Sequence, residues 1–328
     1  MIITKTPYRV SFFGGGTDYR PYFMEYGGSV ISTTIDKYCY ISVRKLPPFF
    51  DHSIIVKYSK IETVKTKEEL NHPSVRECLK YMGLDDISIA HDGDLPAKAG
   101  LGTSSSFTVG LLHALYALQG KYRDGLSLAK EAIHVEQDLI KENVGVQDQL
   151  AVAVGGFNRI YFSADGYEIN PIVISKKRKQ ELEGNLLMFF TGMVRFASEI
   201  ADEQVKNTKN KIQELREMAS LVDEAENILQ SGANLSEFGT LLDYTWKLKR
   251  SLSTRITNPT IDNLYDKAMQ AGALGGKLLG AGGGGFMLVY AEDDKKEAVR
   301  KAMDGYMEIP FHFEPYGSNI VHFTEETC

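Results

Sequence analysis

The sequence predicts a two-lobed protein that contains both strands and helices. A chain of 328 residues with 43% hydrophobic residues is long enough for two moderate domains, each with its own core. The first part carries short runs of β-branched and aromatic residues separated by glycine and proline, which is typical of strands. Residues 196–252 instead show the pattern of long amphipathic helices with few helix breakers. We place the domain boundary near residue 180 and predict domains of residues 1–180 and 181–328.

Local patterns place the individual elements. Thr103 opens a run of residues that favour helix N-caps, and Phe107, Leu111 and Leu115 recur after it at helical spacing, so a loop leads into a helix there. In the rest of the first domain we predict strands at 8–13, 38–43, 53–58, 87–91, 156–163 and 167–174, and helices at 67–82 and 125–142. In the second domain we predict strands at 185–192, 285–291, 309–314 and 319–324, and a helix at 293–307 in addition to the long helices.

The composition excludes several classes of protein. The formal net charge of -6 provides no general attraction for nucleic acid or for an anionic membrane, so we expect neither as a partner. The three cysteines, Cys39, Cys78 and Cys328, are widely spaced and form no CxxC, which favours neither a disulfide framework nor a zinc cluster. The first residues are broken too early by proline and glycine to form a signal sequence. We therefore expect a cytoplasmic protein.

The segment from Pro96 to Ser106, PAKAGLGTSSS, has the chemistry of a phosphate site. Its glycines allow backbone N–H groups to approach a ligand closely, and the helix that follows directs its unpaired donors and the positive end of its dipole at the same point. The alternative is an ordinary capped helix after a flexible loop.

A second glycine-rich segment, Gly275 to Gly285, contains a formal GxGxxG from Gly280 onward. It leads into a predicted strand, whereas the dinucleotide fingerprint follows a strand and opens a helix. It is not a Walker A motif either, because Ala271 and Leu278 occupy two of the required positions. The alternative is a glycine-rich hairpin turn, although so many glycines carry an entropic cost that a turn alone does not require.

Two carboxylates stand out as candidates for chemistry. Glu136 lies among apolar residues one helical turn to either side, so its carboxylate should emerge from a buried face and needs a metal ion or a salt bridge as partner. Asp148 follows the turn at Gly145 and could lie near the phosphate loop. Its alternative role is the N-cap of a short helix.

Together and in this order, these segments resemble the three motifs of the GHMP superfamily of galactokinase, homoserine kinase, mevalonate kinase and phosphomevalonate kinase. The first motif corresponds to Pro7–Asp18, the second to Pro96–Ser106 and the third to Lys277–Phe286. The resemblance implies an α+β fold of two lobes with the active site between them. The N-terminal lobe would be like domain 2 of ribosomal protein S5, and the C-terminal lobe would be ferredoxin-like.

The resemblance also implies roles for single residues, with ATP as phosphoryl donor and Mg²⁺ as cofactor. Ser104 and Glu136 would hold Mg²⁺, Asp148 would be the catalytic aspartate, and Arg9 would support the transferring phosphoryl group or orient Asp148. The nucleotide phosphates would be bound by the second motif, through Pro96, Ala99, Gly100, Leu101, Gly102, Thr103, Ser104, Ser105 and Ser106.

The substrate implied by the resemblance is a sugar phosphate. Galactokinases carry Glu-His before Thr-Asp in the first motif, and Gly15 and Gly16 stand there in this chain, which leaves room for a larger or phosphorylated sugar. This version of the motif, with the stretches 191–195 and 246–250, is most similar to kinases that convert D-glycero-D-manno-heptose 7-phosphate to the 1,7-bisphosphate. The substrate-binding residues would be Gly15, Gly16, Thr17, Asp18, Arg195, Gly282 and Gly283. Arg195 or the basic run 176–179 would hold the 7-phosphate, although such a run is also typical of a solvated surface.

Two other functions remain open from the sequence, and a third is disfavoured. One is a related sugar 1-kinase acting on fucose or another unphosphorylated sugar, because the GGGTD motif is shared more widely than any one substrate. Another is a non-catalytic homologue that senses a sugar, against which the retention of Ser104, Glu136 and Asp148 argues. The strand after the glycines disfavours a nicotinamide dehydrogenase. We expect a monomer or a homodimer.

Overall fold

The protein is built on two β-sheets with helices packed against each. The structure, a computed structural model, describes residues 1–97, 99–193 and 197–324. Within these residues, no helix has both the length and the apolar character needed to cross a membrane.

The larger sheet has nine strands. Its path runs β13-β1-β2-β5-β3-β4, with β12 and β6 paired to β2 and with β7 paired to β6. The strands are β1 Ile2–Phe13, β2 Gly28–Lys45, β3 Ile54–Lys57, β4 Ile61–Val64, β5 Ile87–Gly93, β6 Phe157–Ser163, β7 Gly166–Pro171, β12 Phe313–Glu314 and β13 Asn319–Phe323. The long antiparallel pair of β1 and β2 is the centre of this lobe, and its register places Arg9 opposite Thr34.

Helices are interspersed with these strands along the chain up to residue 184. They are α1 Arg20–Tyr26, α2 Pro73–Met82, α3 Thr103–Leu118, α4 Gly125–Ile133, α5 Gln147–Val154 and α6 Lys176–Gly184. Helix α3 packs against β1 and β2 on one side and against α4 and α5 on the other. Because it is enclosed on both sides, α3 is apolar almost all round rather than amphipathic.

The smaller sheet has the strand order β11-β8-β10-β9, and its neighbours are antiparallel. Its strands are β8 Leu186–Phe190, β9 Gly275–Leu278, β10 Phe286–Tyr290 and β11 Met307–Glu308. The accompanying helices are α7 Ala197–Asn207, α8 Ile212–Gln230, α9 Ser236–Ser251, α10 Pro259–Gln270 and α11 Lys296–Ala302. In order of appearance the strands lie 4-1-3-2, the ferredoxin-like arrangement that the resemblance implied.

The two lobes share a hydrophobic core. Helix α8 packs on β1 and β2, and helix α9 lies between β1 and β9. The ring of Phe238 on α9 meets those of Phe12 and Phe13 on β1 edge-on, with centroids 5.5 and 4.9 Å apart. The end of β1, which lies within the first motif, is therefore held directly against the second lobe.

Most of the predicted elements are present, and their differences from the predictions have physical reasons. The expected helix over 125–142 ends as an α-helix at Ile133 and continues as a π-helical turn over His134–Leu139. The expected strand at 309–314 shrinks to Phe313–Glu314, since Pro310 has no N–H to donate to a neighbouring strand. Strand β9 was not predicted, because its two glycines have low strand propensity and only the packing of β10 and α9 makes it extended.

The domain boundary near residue 180 stays a prediction. In the structure, α6 ends at Gly184 and β8 of the smaller sheet begins at Leu186. The chain then returns to the larger sheet through β12 and β13, which pair with β2 and β1.

Candidate active site

One cavity lies between the two lobes and brings the three motifs together. The first lobe contributes the end of β1, the segment after it, the start of α3 and the turn before α5. The second lobe contributes α9, β9 and the turn after β9. The polar and glycine residues that line the cavity include Arg9, Gly15, Gly16, Asp18, Gly100, Gly102, Thr103, Ser104, Ser105, Glu136, Gln147, Asp148, Lys249, Lys277 and Gly280.

The phosphate loop and the N-terminus of α3 form one wall of this cavity. Gly100 and Gly102 have φ angles of 82° and 71°, a left-handed conformation that favours glycine. A Cβ at Gly100 would lie 2.3 Å from the carbonyl oxygen of Leu279, so the loop directly touches the turn after β9. Gly102 is the N-cap of α3 and has no side chain with which to cap it. The helix end and its dipole are thus directed into the cavity, as an anion site requires.

Four of the predicted nucleotide-binding residues do not line the cavity. They are Pro96, Ala99, Leu101 and Ser106. The carbonyl of Leu101 accepts the N–H of Arg9 at 3.0 Å, and the hydroxyl of Ser106 donates to the carbonyl of Pro7 at 2.8 Å. Ala99 is buried against Gly285. Leu101 and Ser106 therefore attach the loop to β1, and the sequence pattern alone did not separate these supporting residues from the lining ones.

Arg9 and Asp148 form a two-point ion pair in the cavity. Arg9 donates through Nε to Oδ1 and through Nη2 to Oδ2 of Asp148, each at 2.7 Å. Its Nη1 donates to the carbonyl of Gly100, also at 2.7 Å. The guanidinium is buried while the Asp148 side chain is 26% exposed, so the carboxylate has a face open to the cavity. Asp148 lies in the first turn of α5, whose N-cap is Val146, so the alternative role of Asp148 as an N-cap is not what the structure shows.

Asp18 is the buried carboxylate of the first motif. Its Oδ1 accepts the N–H of Gly16 at 2.9 Å, and its Oδ2 accepts the side-chain amide of Gln147 at 2.9 Å. Burial raises its pKa above the ordinary value. A Cβ at Gly145 would lie 1.8 Å from Oδ2, so a glycine is required beneath this carboxylate.

The other substrate-binding predictions are divided between the cavity and its surroundings. Gly15 and Gly16 line the cavity, whereas Thr17 is buried and donates its hydroxyl to the carbonyl of Gly14 at 2.8 Å. Gly282 and Gly283 pack against Ile256 and are not among the lining residues, where Gly280 and Ala281 stand instead. Arg195 lies outside the described residues.

Glu136 is a buried carboxylate with unused hydrogen-bonding capacity. The hydroxyl of Ser105 donates to its Oε2 at 3.1 Å, and the amide of Gln149 donates to the same oxygen. Within the described residues, Oε1 is buried and has no hydrogen-bond partner, and no basic side chain pairs with the carboxylate. Burial raises the pKa of Glu136 to about 7.

This environment fits a magnesium ion that is held mainly by nucleotide phosphates. No group of three or more His, Cys, Asp or Glu side chains suited to a metal occurs among the described residues. Mg²⁺ in kinases typically uses only one or two protein ligands together with phosphates and water. Glu136, with its unpartnered Oε1, and Ser104 are both lining residues of the cavity and are suitable protein ligands.

Sequence reasoning missed two lysines in the cavity, Lys249 on α9 and Lys277 on β9. They are 5% and 2% exposed. A signal for Lys249 was available, because it falls one turn after Thr245 and Trp246 on the apolar face of its helix. The basic run 176–179 is not part of the lining, and Arg178 in it donates to carbonyls at the end of α8 and just beyond it, including that of Leu229 at 2.7 Å.

The family comparisons agree with the chemistry of this cavity. Residues 70–156 match the GHMP kinases N terminal domain, and residues 218–309 match the GHMP kinases C terminal domain. The protein is therefore a kinase, a phosphotransferase with an alcohol group as acceptor, and kinases of this type use ATP. The chain belongs to the GHMP kinases.

Individual relatives extend the likeness over nearly the whole chain. A D-glycero-alpha-D-manno-heptose 7-phosphate kinase of Campylobacter jejuni is 29% identical over 94% of this chain and 95% of its own length. A bifunctional fucokinase/GDP-fucose pyrophosphorylase of Arabidopsis thaliana is 25% identical over 93% of this chain, which spans 31% of that protein. A crystal structure of a D-glycero-D-manno-heptose 1-phosphate kinase from Bacteroides thetaiotaomicron has the same fold, with a TM-score of 0.81, 23% identity and coverage of 99% of this chain and 100% of that one.

Proposed function

We propose that this protein transfers the γ-phosphoryl group of ATP to the anomeric hydroxyl of D-glycero-D-manno-heptose 7-phosphate. The observation that carries the proposal is the Asp148 carboxylate, fixed at both oxygens by Arg9 and placed beside the phosphate loop in the same cavity. A carboxylate so placed can accept a hydroxyl proton next to a bound triphosphate, which is the arrangement that phosphoryl transfer needs.

The reaction assigns one role to each side of the cavity. The anomeric oxygen forms a bond to the γ-phosphorus, the bond between that phosphorus and the β–γ bridging oxygen breaks, and ADP leaves. Asp148 takes the proton of the hydroxyl, and Arg9 fixes the orientation of the carboxylate. The same guanidinium is bonded to the carbonyl of Gly100, so the base and the phosphate loop are positioned by one side chain.

The nucleotide phosphates would lie against Gly100, Gly102 and the N-terminus of α3. Glu136 and Ser104 would hold Mg²⁺, which supplies charge neutralisation when bound. The buried, unpartnered Oε1 of Glu136 supports this assignment, because an isolated buried carboxylate oxygen is costly without a cation or a donor.

The identity of the sugar is proposed from the first motif and from the relatives. Asp18 is aimed into the cavity and would accept hydrogen bonds from sugar hydroxyls. Gly15 and Gly16 leave space next to it where galactokinases carry larger side chains. The Campylobacter relative, named for heptose 7-phosphate, is similar over almost the full length of both chains.

A panel of sugars and sugar phosphates tests the proposal. Heptose 7-phosphate, the unphosphorylated heptose, L-fucose, D-galactose and D-mannose are each assayed for ADP release, and the product is examined by phosphorus NMR. We expect turnover with heptose 7-phosphate and a product with one phosphate on carbon 1 and one on carbon 7. An inert heptose 7-phosphate together with rapid turnover of a free hexose would contradict the heptose proposal.

Fucose is the second candidate, favoured by the similarity to a bifunctional fucokinase/GDP-fucose pyrophosphorylase, of which this chain spans 31%. The same panel distinguishes it, since a fucose kinase would phosphorylate L-fucose and leave the heptose phosphate unchanged. A sugar sensor without catalysis would release no ADP with any member of the panel. The Arg9–Asp148 pair argues against a sensor, because a sensor requires binding but no positioned base.

A further inference from the structure

We propose that Lys249 and Lys277 form an anion subsite that binds the phosphate already carried by the sugar acceptor. The proposal rests on the proposed function in that it assumes a phosphorylated acceptor. It names the groups that would select such a sugar over its unphosphorylated parent.

Both lysines are buried in the cavity wall and keep hydrogen-bonding capacity. The Nζ of Lys249 donates to the carbonyl of Gly280, and the Nζ of Lys277 donates to the carbonyl of Phe12 at 2.7 Å. A lysine ammonium has three donors. Each bond uses one of them, and both side chains line the cavity.

The two ammonium groups also lack a matching negative charge. Within residues 1–97, 99–193 and 197–324, neither is hydrogen-bonded to a carboxylate. The acidic groups whose charge acts on the lysines already have other partners: Asp148 is held by Arg9, and Asp18 accepts hydrogen bonds from the N–H of Gly16 and the amide of Gln147. Buried charges are normally paired, so two unpaired ammonium groups in one cavity wall call for a bound anion.

The electrostatic balance at the lysines supports the same conclusion. Burial lowers the pKa of Lys249 to about 8 and the pKa of Lys277 well below its usual range. After burial, the next largest cause of the lowered pKa is repulsion by a neighbouring positive charge. At Lys277 this charge is Lys249, and at Lys249 it is Arg9. A phosphate between the two ammonium groups would replace this repulsion by two charge-assisted hydrogen bonds.

The position of the pair favours the sugar rather than the nucleotide. Lys277 is bonded to the end of β1, which leads directly into the segment that contains Gly15, Gly16 and Asp18. Asp18 acts on the charge of both lysines. The nucleotide phosphates have their own donors at the phosphate loop and the N-terminus of α3.

Isothermal titration calorimetry without ATP separates the two ligands. Heptose 7-phosphate, the unphosphorylated heptose and ADP are each titrated into the wild type, Lys249→Met and Lys277→Met. Methionine has nearly the length of lysine and no charge, so it suits a buried position. The matched control is Lys247→Met on the same helix, since Lys247 is 63% exposed and paired with Asp243.

We expect Lys249→Met to bind heptose 7-phosphate at least 10-fold more weakly, and Lys277→Met to do the same. The affinities for ADP and for the unphosphorylated heptose should stay within about two-fold of the wild type, and Lys247→Met should match the wild type throughout. Retained ADP binding also reports that a variant is folded. If Lys277→Met fails to fold because its bond to Phe12 is lost, the result for Lys249→Met alone tests the subsite.

Two results of this titration would overturn the inference. One is an unchanged affinity for heptose 7-phosphate in the folded Lys249→Met variant. The other is a matching loss of ADP affinity in a variant whose circular dichroism and urea unfolding equal those of the wild type, which would assign the lysines to the nucleotide.

The wild-type panel keeps this inference separate from the proposed function. If another sugar phosphate is the substrate and Lys249→Met loses its affinity for that compound, the subsite is supported and the heptose proposal is wrong. If the wild type binds only unphosphorylated sugars, both the subsite and the heptose proposal are wrong. If Lys249→Met phosphorylates heptose 7-phosphate with the same KM and kcat as the wild type, the subsite inference alone is wrong.

Discussion

In the cavity, Asp148 is fixed by two hydrogen bonds from Arg9. Asp148→Asn keeps the size of the side chain but removes the group that accepts the proton. We expect turnover to fall by about 10² to 10⁴ while ADP binding is preserved, since general-base catalysis contributes a factor of this size. Steady-state kinetics and ADP titration measure the two effects.

The control for this substitution is Asp165→Asn, in the exposed turn between β6 and β7. It removes the same charge far from the cavity and should leave the rate unchanged. Turnover of Asp148→Asn close to that of Asp165→Asn would remove Asp148 from the mechanism.

Glu136 shows how one residue depends on its local helix. The chain from His134 to Leu139 forms a π-helical turn, and Glu136 lies buried within it. Such turns add a residue to a helix and are frequent at functional sites. The periodicity of a regular helix predicted that Glu136 is buried, and the structure adds that Ser105 and Gln149 reach only one of its oxygens.

At the scale of elements, the contact between the phosphate loop and the turn after β9 joins the two lobes. Gly100→Ala places a Cβ 2.3 Å from the carbonyl oxygen of Leu279, at a residue whose φ is 82°. We expect this variant to lose both stability and ADP affinity, because either the loop or the turn must move.

Gly120→Ala is the matched control for this packing effect. Gly120 follows α3, has a φ of 69°, and its added Cβ would meet no described atom within 4 Å. The left-handed backbone alone should cost about 1–2 kcal/mol of unfolding free energy. Urea unfolding and ADP titration of both variants give the comparison, and equal effects of the two alanines would contradict a packing role for Gly100.

At the scale of the whole molecule, the cavity lysines should reduce the stability of the fold. A lysine whose pKa falls to about 8 on folding keeps its proton in the unfolded chain up to about pH 10.4. Between these values the unfolded state binds more protons, so the stability of the wild type rises with pH. Below pH 8 the buried charge is destabilising in full.

Lys249→Met removes this destabilisation, so its stability relative to the wild type should be greatest near pH 7. The advantage should shrink by about 3 kcal/mol as the pH rises to 10.5. Urea unfolding at pH 7 and pH 10.5 measures the difference, in which the titrating groups that do not interact with Lys249 cancel because both proteins contain them. Lys247→Met should show no such dependence, and a pH-independent difference for Lys249→Met would mean that folding does not lower the pKa of Lys249.

The sequence by itself determined the family, the two-lobed α+β fold and most of the elements. It did so because these properties are local: strand and helix periodicity, the glycines of the three motifs and the residues that begin α3 are all visible in short stretches of chain. The lining positions Gly15, Gly16, Asp18, Gly100, Glu136 and Asp148 were predicted for the same reason.

Only the tertiary structure decided which motif residues face the cavity and which support it. Ser106 and Thr17 belong to the motifs but are bonded to backbone carbonyls, whereas Lys249, from a helix more than a hundred residues later in the chain, lines the cavity. In the sequence, Lys249 is one of several basic residues of its helix. In the fold, α9 packs against β9 and β1, and Lys249 is buried. The burial that makes its charge consequential comes from contacts between distant segments, and a pattern read along the chain does not contain them.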